Sequence, residues 1–204
     1  MQPNVLNTAG IRLATSADTP RLVKMLARTF YDDPFAMWVC PPDNIRMRHL
    51  ESFYAPFIKM MLHHETMWTT QHCEGVAIWA PPGKWRHSLK EMLPLSRSLL
   101  FPQLLLRAPL VATGLALSER AHPETPEHYY LAMLGTDPES QGRGLGSAML
   151  KPMLDQCDDD GIPAYLESSK HANVAFYARH GFRVVREFDV LRGPRIYLMW
   201  REPR

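Results

Sequence analysis

The sequence predicts a mixed α/β (α+β) domain in three layers: a central mixed β-sheet flanked by helices, with a helical insertion between the third and fourth strands. Three observations carry this expectation. Short apolar runs of strand length alternate with longer runs of helical period along most of the chain. The run Tyr129–Thr136 passes through a glycine-rich loop into a helical stretch, the order strand, loop, helix. The last two runs, Phe182–Val190 and Arg195–Trp200, are separated by a short turn and close the sheet without a helix between them. With 204 residues the chain can bury one full core, and a single domain over residues 1–204 is expected.

Taken in order, Ile11–Ala14 reads as the first strand. Ser16 or Asp18 then caps a helix with Pro20 in its first turn and apolar positions at Leu22, Val23, Met25, Leu26 and Phe30, ending in the turn Tyr31-Asp32-Asp33-Pro34. Arg46–His64 is a second helical stretch, bent or broken at Pro56. Met67–Thr70 and Gly75–Ala80 alternate as a hairpin joined by Gln71–Glu74. After Pro81-Pro82-Gly83 comes the insertion, Ser88–Arg120, ended by His122-Pro123-Glu124-Thr125-Pro126. Within it, Leu99–Leu117 approaches the length of a membrane span. Pro102, Gln103, Arg107, Pro109 and Gly114 interrupt it, so two short core helices broken near Pro109 are expected in place of a span. Gly144–Asp159 is the helix after the loop, bent at Pro152, and its Asp158-Asp159-Asp160 end reads as solvated carboxylates before Gly161. Ala164–Ser168 is the next strand, and a helix ending at Gly181 precedes the closing pair.

Composition narrows the function classes. Hydrophobic content of 46% and charged content of 22% are those of a globular domain, and a formal net charge of +2 without a clustered basic face argues against nucleic acid as a partner. Three widely spaced cysteines, Cys40, Cys73 and Cys157, fit a reducing cytoplasm. The opening Met1-Gln2-Pro3-Asn4 lacks the charged and apolar regions of a signal peptide. His63-His64-Glu65 lacks the His-Glu-x-x-His spacing that sets two ligands on one helix face, so no metal is expected.

The most informative stretch is Gln141-Gly142-Arg143-Gly144-Leu145-Gly146-Ser147, following Thr136-Asp137-Pro138. The first N–H groups of a helix lack internal partners, the helix dipole makes that end positive, and glycine lets the backbone close on an anion. Glycines at 142, 144 and 146 match neither the dinucleotide fingerprint nor a Walker loop, and no Lys-Ser or Lys-Thr follows. About thirty residues on lies Asn173-Val174-Ala175-Phe176-Tyr177-Ala178-Arg179-His180-Gly181-Phe182.

The first run has the form Q/R-x-x-G-x-G/A and the second N-x-x-x-[FY]-Y-x-x-x-G-F. In this order and spacing the sequence resembles the GNAT superfamily of acyl-CoA-dependent N-acetyltransferases. Arg12-Leu13-Ala14-Thr15 with Asp18, Val76-Ala77-Ile78-Trp79 before Pro81-Pro82, Asp137-Pro138-Glu139, Ile162–Ser169 and Gly193-Pro194-Arg195 look like the puromycin N-acetyltransferase group. From Arg46 to Ser118 the likeness is one of length and helical character more than of residues.

The resemblance implies acetyl-CoA as cosubstrate, its pyrophosphate on Gln141, Gly142, Arg143, Gly144, Leu145, Gly146 and Ser147. Its pantetheine arm would lie as an extra strand along Met133, Leu134, Gly135 and Thr136, with one N–H aimed at the thioester carbonyl and Asn173 and Tyr177 beside it. A phenol of ordinary pKa about 10 can give a proton to a thiolate of about 8.5, which makes Tyr177 the expected general acid. Glu167 is the expected base if its neighbours tune it, with His128 and Tyr129 as alternatives, and a structural role for Glu167 weighs equally. Acceptor specificity is expected from Phe30, Tyr31, Asp32, Phe35, Trp38, Trp79 and the insertion, rings stacking on an amine's body and the carboxylate holding its ammonium. The expected partner is a small-molecule amine, with no stable membrane span and a monomer or homodimer as the assembly. A protein or peptide N-acetyltransferase and a non-catalytic acyl-CoA-binding module are the competing functions.

Overall fold

The computed structural model describes residues 10–204, apart from residues 97 and 99 and the side chains of 89 and 103, so Met1–Asn4, read above for a leader, lies outside the described residues. The elements follow as β1 (Ile11–Leu13), α1 (Thr19–Thr29), α2 (Pro34–Val39), α3 (Asp43–Met61), β2 (Met67–Thr70), β3 (Gly75–Ala80), α4 (Leu89–Ser96), α5 (Pro102–Leu105), α6 (Ala108–Ala121), β4 (Tyr129–Thr136), α7 (Leu145–Asp160), β5 (Ala164–Ser168), α8 (Ala172–Arg179), β6 (Arg183–Asp189) and β7 (Arg195–Arg201). The strands form one mixed seven-stranded sheet in the order β1-β2-β3-β4-β5-β7-β6, with β4 and β5 parallel and the other neighbours antiparallel.

Alternation along the strands makes the three layers. On one face Val76, Ile78 and Ala80 of β3 pack against Leu22 and Leu26 of α1 and Tyr54 and Ile58 of α3. On the other, Ala77, Leu131, Leu166 and Met199 lie under Met149, Leu150 and Met153 of α7 and Tyr177 of α8. The far end of the first face, Tyr165, Leu198 and Trp200, is covered by Trp38 of α2 and Val111 of α6.

Several local expectations change. Residues 34–39, read as following a turn, form α2, because Asp33 Oδ1 accepts from the amides of Phe35 (2.9 Å) and Ala36 (3.1 Å) and Pro34 fits the first turn. Asp18 does not cap α1. Its carboxylate turns back to the Thr15 amide (2.8 Å) and to both terminal nitrogens of Arg12 (2.7 Å each). The α3 helix begins at Asp43 and runs through Pro56 without breaking.

The insertion holds three helices, with the break at Leu106-Arg107 and Pro109 in the first turn of α6. These are not core helices throughout. Leu104 and Val111 are buried, but Leu106 is 95% exposed and Leu105 53%. Among the described residues no helix is long and apolar enough to cross a membrane. At the end of α7, Asp158 accepts from Arg201 Nη2 (2.7 Å) and the Arg204 amide (2.8 Å), and Asp160 from Tyr129 Oη (2.6 Å), so two of the three carboxylates tie α7 to the rest of the domain.

Gly135 sets how closely α1 approaches β4. A Cβ there would lie 2.9 Å from Leu26 Cδ2 and 3.2 Å from Phe30 Cε2, so the close approach it permits is made by α1. Gly135→Val should lower stability by about 1–3 kcal/mol through overpacking, with a smaller loss for Gly135→Ala, read as melting temperature. A valine variant melting with the wild type would show that α1 has room there.

Candidate active site

The chemistry of the site begins where β4 leaves β5. Tyr129, Tyr130 and Leu131 pair with Ala164, Tyr165 and Leu166, and pairing stops there, while β4 continues to Thr136 against β3 and β5 to Ser168 against β7. A bulge accompanies the parting. Trp79 pairs with Leu131 and Ile78 with Met133, leaving Ala132 as the extra residue. The bulge reverses the strand's alternation: the Tyr129 amide donates to Pro163 O on the β5 side (2.9 Å), whereas the Asp137 amide donates to Glu74 O on the β3 side (2.8 Å). The amides of Leu134 and Thr136 therefore face a gap in which no described strand receives them.

The turn after α1 spans this gap on one side. Thr29 Oγ1 donates to Thr136 O (3.1 Å) and Arg28 pairs with Asp137 at the end of β4. Beyond β5, Ser169 Oγ donates to Asp33 Oδ2 (2.7 Å) and Lys170 Nζ to Asp32 Oδ1 (2.8 Å). From the opposite layer, α8 brings in Tyr177, 7% exposed. Burial, and after it the Asp33 carboxylate, raise the Tyr177 phenol above its ordinary value. It is therefore neutral and carries its proton at physiological pH. Asn173 is exposed in the first turn of α8, one turn before Tyr177.

Below the gap the glycine loop leads into α7. Gly142 (φ 75°) and Gly144 (φ 78°) hold the left-handed conformation that turns the chain into the helix. The amides of Leu145, Gly146 and Ser147 precede the first intrahelical bond, from the Ala148 amide to Gly144 O. A Cβ on Gly146 would meet the Phe176 ring at 3.2 Å. Gln141 Nε2 braces the loop on Thr136 O (3.2 Å), and Arg143 Nη1 on Glu74 Oε1 (3.0 Å). Lys151, Arg179, Arg201 and Arg204 line the hollow beside it. An acyl-CoA fits these residues part by part: free helix-terminal amides for the pyrophosphate, strand amides at Leu134 and Thr136 for the amide-bearing arm, and a neutral phenol where the gap closes.

Glu167, with a side chain 17% exposed, lies on the α1/α2 side of β5. It accepts from Tyr165 Oη (3.0 Å) and lies 3.6 Å from His122 Nδ1. His122 Nε2 is in turn 3.0 Å from His128 Nε2. Two of the expected alternatives for the base, Glu167 and His128, thus belong to one array joined by His122, which the sequence reading took only as the end of the insertion. The spacing His122–His128 across a Pro-rich turn was the available signal. Tyr129 faces away, toward Asp160 at the end of α7, and burial, then that hydrogen bond, raise its phenol. Among the described residues no group of three or more metal-ligating side chains gathers.

The expected acceptor residues separate. Phe30 packs on Tyr54 (5.9 Å between centroids) beside Gly135, and Asp32 and Tyr31 lie at the rim, the latter donating to Asp43 O (3.2 Å) beneath the Arg46 guanidinium. Phe35 packs on Trp38, and Trp38 is largely inside, its Nε1 donating to Leu191 O (3.2 Å). Trp79 does not join them: it is fully buried on the other face of the sheet beneath α7. As neighbours on β3, Trp79 and Ile78 face opposite layers by strand alternation.

Residues 102–182 match the model of the Acetyltransferase (GNAT) family. An uncharacterized N-acetyltransferase of Schizosaccharomyces pombe is 24% identical over 181 residues, covering 81% of this chain and 70% of its own. The solved structure of a histone acetyltransferase HPA2 and related acetyltransferase from Corynebacterium glutamicum superposes with a TM-score of 0.68 at 21% identity, over 96% of both chains. An agmatine N-acetyltransferase superposes with a TM-score of 0.61 at 16% identity, over 94% of this chain and 98% of that one. The matched segment runs from α5 through β4, the glycine loop, α7 and β5 to the end of α8, the same elements that frame the gap, and over it the chain is similar to the GNAT acetyltransferases.

Proposed function

We propose that the chain acetylates the amine of a small molecule by direct attack within a ternary complex. The observation that carries this reading is the two-sided gap between β4 and β5, with a neutral phenol entering from α8 and the Glu167 array on the α1/α2 side. Acetyl-CoA supplies the activated acyl group. Glu167 takes one proton from the acceptor ammonium so that the nitrogen lone pair attacks, the Leu134 or Thr136 amide steadies the developing oxyanion, and as the C–S bond breaks Tyr177 gives its proton to the leaving sulfur and regains one from the second N–H of the attacking nitrogen.

A compact acceptor suits the covered face. Helices α2 and α6 lie over the β5–β7 end of the sheet, where an extended peptide would need an open groove. Phe30, Tyr31 and Phe35 offer rings at the remaining opening, and Asp32 a carboxylate for an ammonium. Amines with an apolar body are the acceptors we favour, in keeping with the solved agmatine N-acetyltransferase and with the resemblance to the puromycin group. Three buried free thiols, Cys40, Cys73 and Cys157, support a reducing compartment such as the cytoplasm.

Acetyl-CoA should raise the melting temperature, because a ligand bound only by the folded state stabilises it by mass action. Gly144→Val should abolish that shift, since valine at φ 78° is strained and crowds the phosphates. A folded variant with an unchanged shift would remove the loop from cosubstrate binding.

Tyr177→Phe should keep acetyl-CoA binding and lose turnover by roughly 10²- to 10⁴-fold, measured against a panel of primary amines by release of free thiol. Turnover near that of the wild type, where chemistry limits the rate, would exclude Tyr177 as the acid. A wild-type protein that binds acetyl-CoA and turns over no amine would favour the binding module.

Glu167→Gln should preserve fold and cosubstrate affinity, lower kcat/KM, and lose less as pH rises from about 6.5 to 9.5 and more acceptor arrives deprotonated. A lowered melting temperature with a rate defect independent of pH would make Glu167 structural.

A further inference from the structure

We infer that His122 and His128 form a buried proton store behind Glu167, holding the acceptor's proton while the acyl group is transferred. This rests on the reading of Glu167 as the first proton acceptor. Hydrogen-bond polarity fixes the array. His128 Nδ1 lies 2.9 Å from Pro126 O, which can only accept, so that nitrogen carries the proton and His128 Nε2 offers a lone pair. His122 Nε2, 3.0 Å away, must then donate to it, which leaves His122 Nδ1 as the unprotonated nitrogen. That nitrogen faces Glu167 Oε1 at 3.6 Å. A carboxylate and an imidazole lone pair repel one another, and one proton between them turns the contact into an ion pair.

Aromatic rings enclose His122. Trp85 stacks on its ring (3.7 Å between centroids, 19° between planes), and Tyr130 and Tyr165 meet it edge to face at 4.8 and 4.7 Å. Both phenols are pushed up by burial and stay neutral. The charged and titratable groups facing the array are Glu167 and the Tyr165 hydroxyl from β5, Tyr130 and His128 from β4 and its approach, and Arg186 of β6 near Tyr165. On the outside, Arg86 lies over Trp85 and pairs with Glu124, and Glu127 lines the same hollow as His128. His128 Nε2 already accepts from His122 and only His122 Nδ1 faces the carboxylate, so the added proton goes to His122.

The proton balance closes in both directions. The ammonium N–H bond breaks as an O–H forms on Glu167; that O–H breaks as N–H forms on His122 Nδ1, giving an imidazolium that keeps its Nε2 proton on His128. When product leaves, the proton returns through Glu167 to solvent, and both rings recover their starting tautomers without flipping. His122 touches no reacting atom, so its place is that of a positioning residue for charge.

The test combines imidazole nitrogen NMR of the whole protein without acceptor and pH profiles of kcat/KM across the amine panel. We expect His122 as the Nε2–H tautomer, His128 as the Nδ1–H tautomer, and a His122 titration that moves in Glu167→Gln. His122→Asn should keep acetyl-CoA affinity, lose on the order of 10²-fold in kcat/KM near pH 7 because Glu167 then has no group to pass its proton to, and move the acid limb of the profile to lower pH. A His122 proton on Nδ1 in the neutral ring, a titration indifferent to Glu167→Gln, or an unmoved acid limb in an active His122→Asn enzyme would each overturn the store alone. Absence of turnover with every amine in the wild type would overturn amine transfer, and the store with it.

Discussion

Two parallel strands that stay paired for only three residues govern the architecture of the site. A parallel pair must be held by layers on both faces, because its strands are joined by a crossover and not by a hairpin. Here α7 makes that crossover between β4 and β5, and its N-terminus stands where the strands diverge. The gap, the glycine loop at the start of α7 and the access from both faces are therefore one geometric feature. Filling it with strand pairing would satisfy Leu134 and Thr136 internally and leave nothing for a ligand's amides.

The bulge at Ala132 is what makes the gap chemically useful. Without the extra residue, the amides of Leu134 and Thr136 would turn toward β3 and be consumed in the antiparallel ladder. With it, they face outward while the side chain of Met133 and the Cα of Gly135 lie toward α1 and the side chain of Leu134 toward α7. On our reading the backbone binds and the side chains of α8 and β5 react. This division also explains why the turn 30–33 is tied down at both ends, through Thr29 to β4 and Asp33 to Ser169, since it forms one wall of the gap.

Strands and loop were legible in the sequence because their signals are local. The spans of β2, β3, β4 and β5 are those that alternation and flanking turns predicted, and the left-handed glycines sit where a tight entry to α7 requires them. The α2 helix carried a readable cap and Pro start in Asp33-Pro34 that hydrophobic period, over only six residues, did not reinforce. Trp79 and the His122–Glu167 array depended on facts that no single segment contains. Alternation sets Trp79 opposite Val76, Ile78 and Ala80, but only the packing of α7 over that face buries it there, and His122, at the end of α6, meets Glu167 only because the insertion folds back over β5. Leu105 and Leu106 show the opposite failure: apolar period predicted a core that the short α5 does not reach.

On our reading, acetyl-CoA completes the open edge of β4 beyond its bulge. Amide hydrogen exchange of the whole protein, with and without acetyl-CoA, tests it most directly. Tyr129 and Leu131 should be protected in both states by their pairing with β5, and Leu134 and Thr136 should exchange fast alone and slow by at least about tenfold when acetyl-CoA is bound, each tenfold corresponding to about 1.4 kcal/mol. Equal exchange of Leu134 and Thr136 in the two states, with acetyl-CoA shown to be bound, would contradict it.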